Sequence, residues 1–329
     1  LSRLHEFLGE NFVKEPASDK GLLEKFWDNN WGVTNSVGKI RKILVHRPDK
    51  EVHALQNAKF DPKAEALILR DDDGEIVSYC LHETAPDLAL MQAQHDKMVS
   101  ILKAEGIEVI ELEDDGKLIT NKLFARDVGM VVPGGLILTR FAFKFRYGET
   151  RLALRTAARI GMPVLASIQG NGYAEGGSFA VLDAKTAIVG RSIRVNQEGI
   201  NQLRDILSWQ GMELIVVDLP AHLIHLDETF MMVDRDKALV DITNLPHWFL
   251  ELLQDRGIKL IITDPNDPPL TNNCLCLSPG KVLFSEKGQS TMKKLQENNI
   301  EVIPININEI NAMGGGLHCS TLVLDRDDI

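Results

Sequence analysis

The feature that most constrains this chain is a recurring ending in which a helical stretch runs into a turn and then an apolar strand. It occurs as Ala104-Glu105-Gly106-Ile107 leading to Val109, as Ile160-Gly161-Met162-Pro163 leading to Val164, and as Gln210-Gly211-Met212-Glu213 leading to Leu214. Arg256-Gly257-Ile258-Lys259 leading to Leu260 and Asn298-Asn299-Ile300-Glu301 leading to Val302 complete a set of five. In four of the five a glycine stands where a helix ends on a left-handed residue. Ahead of each helix the pattern predicts a pair of short strands, clearest in Phe179–Leu182 with Ala187–Val189 and in Leu275–Leu277 with Val282–Phe284. The turn Ser278-Pro279-Gly280-Lys281 joins the second pair as a hairpin.

The unit is therefore ββαβ, with starts near Lys39, Asp127, Ser178, Thr229 and Asn273 at intervals of about 45 to 90 residues. A polar insertion around Arg70 to Val77 lengthens the first interval. Each unit leaves an apolar face that only a neighbour can cover, so five in series predict a closed ring, an α/β propeller of five blades. A doubly wound open sheet fits less well, because it alternates single strands with helices. The strand expected over Thr321–Leu324 would complete the first unit and bring the chain ends together.

A chain of 329 residues exceeds the usual single-domain size unless the architecture is of this large closed kind. The expected organisation is an N-terminal extension over residues 1–30 and one catalytic domain over 31–329. A formal charge of −11, with no basic stripe, argues against nucleic acid as a partner. Four cysteines make no disulfide framework, and Cys274 and Cys276 lack zinc-binding spacing. With no long apolar run and no leader pattern at the start, the expected setting is cytoplasmic, with no membrane partner. Homo-oligomerisation is left open.

Unusual polar residues gather where units begin. Phe124-Ala125-Arg126-Asp127 enters the second unit, Glu175-Gly176-Gly177 the third, and His225-Leu226-Asp227 the fourth. In a ring these turns face one centre. The tail, Gly314-Gly315-Gly316-Leu317-His318-Cys319, lets backbone approach another group closely and delivers one cysteine to the same place. Taken singly, each piece has a structural reading: an aspartate before a strand is usually a turn residue, and a free cysteine is usually a small buried hydrophobe. His46, His82 and Glu51 are read as structural. Asp71-Asp72-Asp73-Gly74-Glu75 is read as a solvated loop without the remaining ligands of a calcium site, and His222 with His225 as no zinc pair.

Taken together, the order Phe-x-Arg-Asp, Glu-Gly-Gly, His-Leu-Asp, Asn-Asn before a hairpin, and Gly-Gly-Gly-x-His-Cys resembles the guanidino-group-modifying enzymes, the pentein superfamily. Its members include arginine deiminases, dimethylarginine hydrolases, agmatine deiminases and amidinotransferases. The similarity runs from Trp31 to Asp327, is greatest to the deiminases, and implies the five-bladed ring already read from the repeats. It implies Cys319 as nucleophile, His225 as general acid and base, Glu175 as support for His225 and the guanidinium, and Asp127 and Asp227 as the guanidinium clamp. It further implies Asn121, Arg146 and Arg191 as substrate-binding residues, with Arg146 and Arg191 on a substrate carboxylate. Three features depart from the deiminase pattern: Ser178 replaces an acidic residue, Ala312-Met313 replace an arginine, and Leu317 is an amidinotransferase-like addition.

The chemistry fits these residue types. A guanidinium carbon is a poor electrophile, so it needs a strong nucleophile and a protonated leaving group. A Cys319 thiolate, favoured by a nearby His225 cation or a bound guanidinium, supplies the first, and His225 the second. The expected partner is a small-molecule guanidino substrate, arginine or a close derivative, cleaved through a covalent thiouronium with no metal and no organic cofactor. Asn variants of Asp127 and Asp227 are both expected to lose activity while keeping the fold. Transfer of the amidino group to an amine is the alternative outcome, and a silent arginine-binding or partner-binding ring the third.

Overall fold

The structure, a computed structural model, describes residues 3–9, 11–116 and 120–329, so the expected extension over 1–30 lies partly outside the described residues. Among these, five three-stranded sheets follow one plan. In each, the middle strand runs antiparallel to one neighbour and parallel to the other. Gly129–Val132, Gly135–Leu138 and Val164–Ser167 form the second sheet, and Phe179–Asp183, Thr186–Arg191 and Glu213–Asp218 the third. The fourth joins Phe230–Asp234, Lys237–Val240 and Lys259–Ile262, and the fifth Leu275–Ser278, Lys281–Ser285 and Glu301–Ile305. The first sheet takes its outer strand from the far end of the chain. Ile40–Val45 pairs antiparallel with Leu322–Arg326 and parallel with Glu108–Glu111.

A helix precedes each third strand because its sequence writes both the stripe and the stops. In Gln197–Trp209 the Asn196 side chain accepts a hydrogen bond from the Gly199 N–H at 2.9 Å, capping the first turn. Ile200, Leu203, Ile206 and Leu207 then recur at helical spacing and are buried, each worth about 2 kcal/mol of removed apolar surface. Gly211 follows at φ 69°, and Gly106, Gly161 and Gly257 play the same part at 78°, 72° and 77°. The fifth unit, which has no glycine there, puts Asn299 at φ 61°, the residue type that tolerates this conformation next best.

The insertion differs from its sequence reading. It is a sixth, wholly antiparallel sheet of Lys59–Asp61, Ala66–Arg70 and Ile76–Cys80. The acidic run Asp71 to Glu75 is the exposed turn of its second hairpin, where the Asp71 carboxylate accepts the Asp73 and Glu75 N–H groups at 3.1 and 2.9 Å. The polar tip had hidden the apolar arms Ala66–Leu69 and Val77–Cys80 on either side.

Consecutive sheets touch through their edges and entry turns. Leu322–Arg326 meets Gly129–Val132, the Asp127 turn meets the Gly176 turn, and that meets the turn after His225. Phe230–Asp234 meets the fifth sheet, and the Arg326 guanidinium donates to the Cys276 carbonyl at 2.9 Å, tying the fifth sheet to the first. Helix Lys20–Trp27 rests on this body through buried Leu23 and an ion pair from Lys20 to Asp328. No helix among the described residues is long and apolar enough to cross a membrane.

Candidate active site

The entry turns bring Asp127, Glu175, His225, Asp227 and Cys319 into one buried polar cluster, every member less than a tenth exposed. His225 is its hub. Its Nε2 lies 3.0 Å from Glu175 Oε2, and its Nδ1 lies 3.6 Å from Asp127 Oδ1. Glycine is required at 177 because a side chain there would put Cβ 2.6 Å from His225 Nδ1 and 2.9 Å from Asp127 Oδ1. The Gly177 N–H instead donates to Asp127 Oδ1 at 3.0 Å.

Cys319 is presented by Asn273. The Asn273 Oδ1 accepts the Cys319 N–H at 3.0 Å while its Nδ2 donates to Sγ at 3.2 Å, and glycine at 316 allows that approach. Sγ lies 3.7 Å from Asp227 Oδ2, which also accepts from His318 Nδ1 at 2.7 Å. Asp227 Oδ1 is buried and has no hydrogen-bond partner among the described residues. Such an oxygen calls for a donor.

Charges in the cluster are strongly coupled. Burial alone would depress His225, but the Asp127 charge and the hydrogen bond that His225 donates to Glu175 push it up to about 9, so it is a cation at neutral pH. Burial alone would raise the Asp127 carboxyl, and the His225 and Arg146 charges overrule it, holding it at about 2. Glu175 is likewise held below its ordinary value, burial being outweighed by Arg194 and His225. Cys319 departs from its sequence reading. Burial first, then the Asp227 and Asp127 carboxylates, push its thiol well above 9.0, so in the unliganded protein it is a thiol and not a thiolate. Burial also raises Cys80 to about 11 and Cys276 to about 12, so protonation state does not single out Cys319. Its neighbours do.

The raised His225 value links stability to pH. A proton held more tightly in the folded chain stabilises it fully below pH 6.5, and that stabilisation is lost as pH rises through about 9. At about 1.4 kcal/mol per unit, it is on the order of 3 kcal/mol. Thermal melts between about pH 6 and about pH 10 should show the wild type losing more stability than His225→Gln. Parallel curves would contradict the assignment of this proton to His225.

Arg146 and Arg191, expected on a substrate carboxylate, lie elsewhere. Arg146 is buried behind the clamp. It donates to Glu149 at 2.9 and 2.7 Å, to Asp127 Oδ2 at 2.7 Å, and to the Asn121 and Phe124 carbonyls at 3.3 Å each. Asn121 is thus a buried backbone support for Arg146. Arg191 is outside, half-exposed and held by Asp218 and Gln197, because strand register sets Arg191 opposite Asp218. Arg194 takes the inner position, Nη1 lying 3.0 Å from Glu175 Oε2 and its guanidinium 3.9 Å from the centre of the Phe143 ring. Sequence reasoning missed Arg194 and the grip of Asn273. The adjacent signals were the second arginine in Arg191-Ser192-Ile193-Arg194 and the Asn-Asn pair before the fifth hairpin. Asp127, Glu175 and His225 also come within a spacing that could surround a metal ion. Arg146 and Arg194 already supply positive charge to those two carboxylates.

A family model described as N,N dimethylarginine dimethylhydrolase, eukaryotic, matches residues 82–325. The arginine deiminase of Limosilactobacillus reuteri is 21% identical over 402 aligned positions, covering 90% of this chain and 98% of the relative. Among solved structures, a dimethylarginine dimethylaminohydrolase from Pseudomonas aeruginosa, bound to citrulline, superposes with TM-score 0.70 at 20% identity, covering 86% of this chain and 99% of that one. An amidinotransferase from Microseira wollei, of saxitoxin biosynthesis, gives 0.69 at 17% identity, with 91% and 98% covered. These likenesses show a shared propeller-like α/β fold. With three quarters of its length under the family model, the chain belongs to the family of N,N dimethylarginine dimethylhydrolases of eukaryotic type, within the guanidino-group-modifying superfamily.

Proposed function

We propose that this protein is a cysteine-dependent hydrolase of a guanidino C–N bond, built on a closed ring of five ββαβ blades. The observation that carries the reading is the pair of buried carboxylates, Asp127 and Asp227, beside one thiol, with Asp227 Oδ1 lacking a donor. A guanidinium supplies planar N–H donors to such oxygens. The contacts that run from each sheet to the next, and from the fifth back to the first, support closure of the ring.

In this mechanism the substrate cation itself activates the nucleophile. The carboxylates that hold the Cys319 thiol protonated are neutralised as the guanidinium binds, and the thiol proton passes to bulk water. Sγ then forms a bond to the guanidinium carbon. His225, charged at neutral pH, gives its proton to the departing amine as the C–N bond breaks. Now neutral, His225 takes a proton from water, whose oxygen attacks the thiouronium carbon and breaks the C–S bond. Glu175, fixed by Arg194 and by the Ala142 N–H at 3.1 Å, keeps the ring oriented throughout.

The test is product analysis with arginine, in the presence and absence of glycine or of isotope-labelled ornithine. Hydrolysis predicts citrulline and ammonia whether or not the acceptor is present. A guanidino product on the acceptor, with ornithine released from arginine, would assign amidino transfer instead, which the Gly-Gly-Gly-x-His-Cys ending resembles.

A further inference from the structure

Beside the catalytic cluster lies a cleft of about 840 Å³, which adjoins a second recess of about 420 Å³. Glu228, Pro268, Pro269 and Leu270 line both. The cleft borders the site through residues that touch the cluster. Arg194 lines it and holds Glu175, Glu228 lines it and accepts the His225 N–H at 2.8 Å, and Gly314 on its wall begins the glycine run to Cys319. Pockets of about 300–1,000 Å³ suit drug-sized ligands, so a free amino acid leaves most of this one unfilled.

Much of its wall is apolar. Tyr79, Leu81, Phe143, Ile193 and Leu270 line it, and Leu81 and Ile193 are 56% and 60% exposed. Exposed apolar side chains gathered at one rim mark a surface that a ligand covers. The fixed cations on the wall, Arg194 and Lys287, are matched by Glu228 and Glu309, so the cleft offers no net attraction to a carboxylate. Arg146 and Arg191 do not line it.

Leu270 adds a link to the nucleophile. Its φ of 65° is unusual for a bulky residue, and backbone held this way concentrates at ligand clamps. Three residues later Asn273 grips both the N–H and Sγ of Cys319. A group resting on Leu270 therefore bears on the segment that positions the nucleophile, and remote binding of this kind is realised in kcat.

We propose that this cleft is a tail subsite, and that the substrate is a guanidino compound whose far end is a bulky, uncharged and largely apolar group. An acylated, amide-capped guanidino amino acid has that chemistry. The proposal rests on the guanidino reading above and narrows it.

The experiment compares Nα-benzoyl-L-arginine amide, L-arginine and agmatine as substrates, and follows adducts on Cys319 by mass spectrometry. The capped compound is expected to exceed arginine in kcat/KM by about tenfold or more, chiefly through kcat. In Leu81→Asp and Ile193→Asp, whose side chains are exposed and spare the core, the ratio of capped compound to arginine should fall toward one. Arginine turned over as well as the capped compound, or a ratio unmoved in both variants, overturns the tail subsite alone. Absence of a Cys319 adduct with all three compounds overturns the guanidino reading with it.

Discussion

Cys319→Ser is expected to remove turnover while leaving the fold intact. The hydroxyl is far less acidic than a thiol, and the two carboxylates that already hold the thiol protonated would oppose an alkoxide more strongly. Serine keeps the Asn273 contact to its backbone N–H and has similar volume, so no cavity opens. Loss of a nucleophile costs several orders of magnitude in kcat. Retention of more than about a tenth of wild-type kcat, in a variant with an unchanged melt, would remove Cys319 from the chemistry.

Asp127→Asn and Asp227→Asn should both lose activity by about a hundredfold or more, the scale of a lost charge stabiliser at a reacting centre. Their stabilities should part, contrary to what the sequence alone suggests. Asp127 is bound to the buried Arg146 and faces the charged His225, and removing one partner of a buried pair costs about 3–5 kcal/mol. Glu149 still holds Arg146, which puts the expected loss at the low end, about 3 kcal/mol. Asp227 has one oxygen on His318 and the other without a partner, so a neutral amide there should change stability by less than about 1 kcal/mol. Equal destabilisation of both variants in thermal melts would contradict this division of labour.

Much of the fold was legible because each unit spells its own boundaries. Helix stripes, left-handed stops and hairpin turns are local signals, and the five that were read, including the glycine-free Asn299, fall where helices end. The extra sheet at 59–80 was not legible in the same way. Its most conspicuous stretch is the acidic hairpin tip, while the two strands that flank it are only five residues long and alternate weakly. Tyr79, which leads from that sheet to the cleft, was missed with it.

In the site, the gathering of Asp127, Glu175, His225, Asp227 and Cys319 was legible, whereas the partners fixed by register and packing, Arg194 and Asn273, were not. Motifs such as Glu-Gly-Gly are conspicuous because close packing demands glycine, as the Gly177 contact with His225 illustrates. Arg191 and Arg194 are three apart and chemically identical. Which one turns inward depends on strand pairing with Asp218 and on the Ser192–Val195 turn, neither written in composition or spacing. That the His225 cation alone does not make Cys319 a thiolate in the unliganded protein was missed for a related reason. His225 is charged as anticipated, but burial and two carboxylates around the thiol outweigh it, and that balance exists only in three dimensions.

The most direct test of the central claim is mass spectrometry of the wild-type protein quenched in acid during turnover of a guanidino substrate, followed by peptide mapping. The account predicts an amidino-type adduct on the peptide containing Cys319, absent from Cys319→Ser and absent without substrate. Full turnover with Cys319 unmodified throughout, or an adduct on Cys80, Cys274 or Cys276 instead, would contradict it.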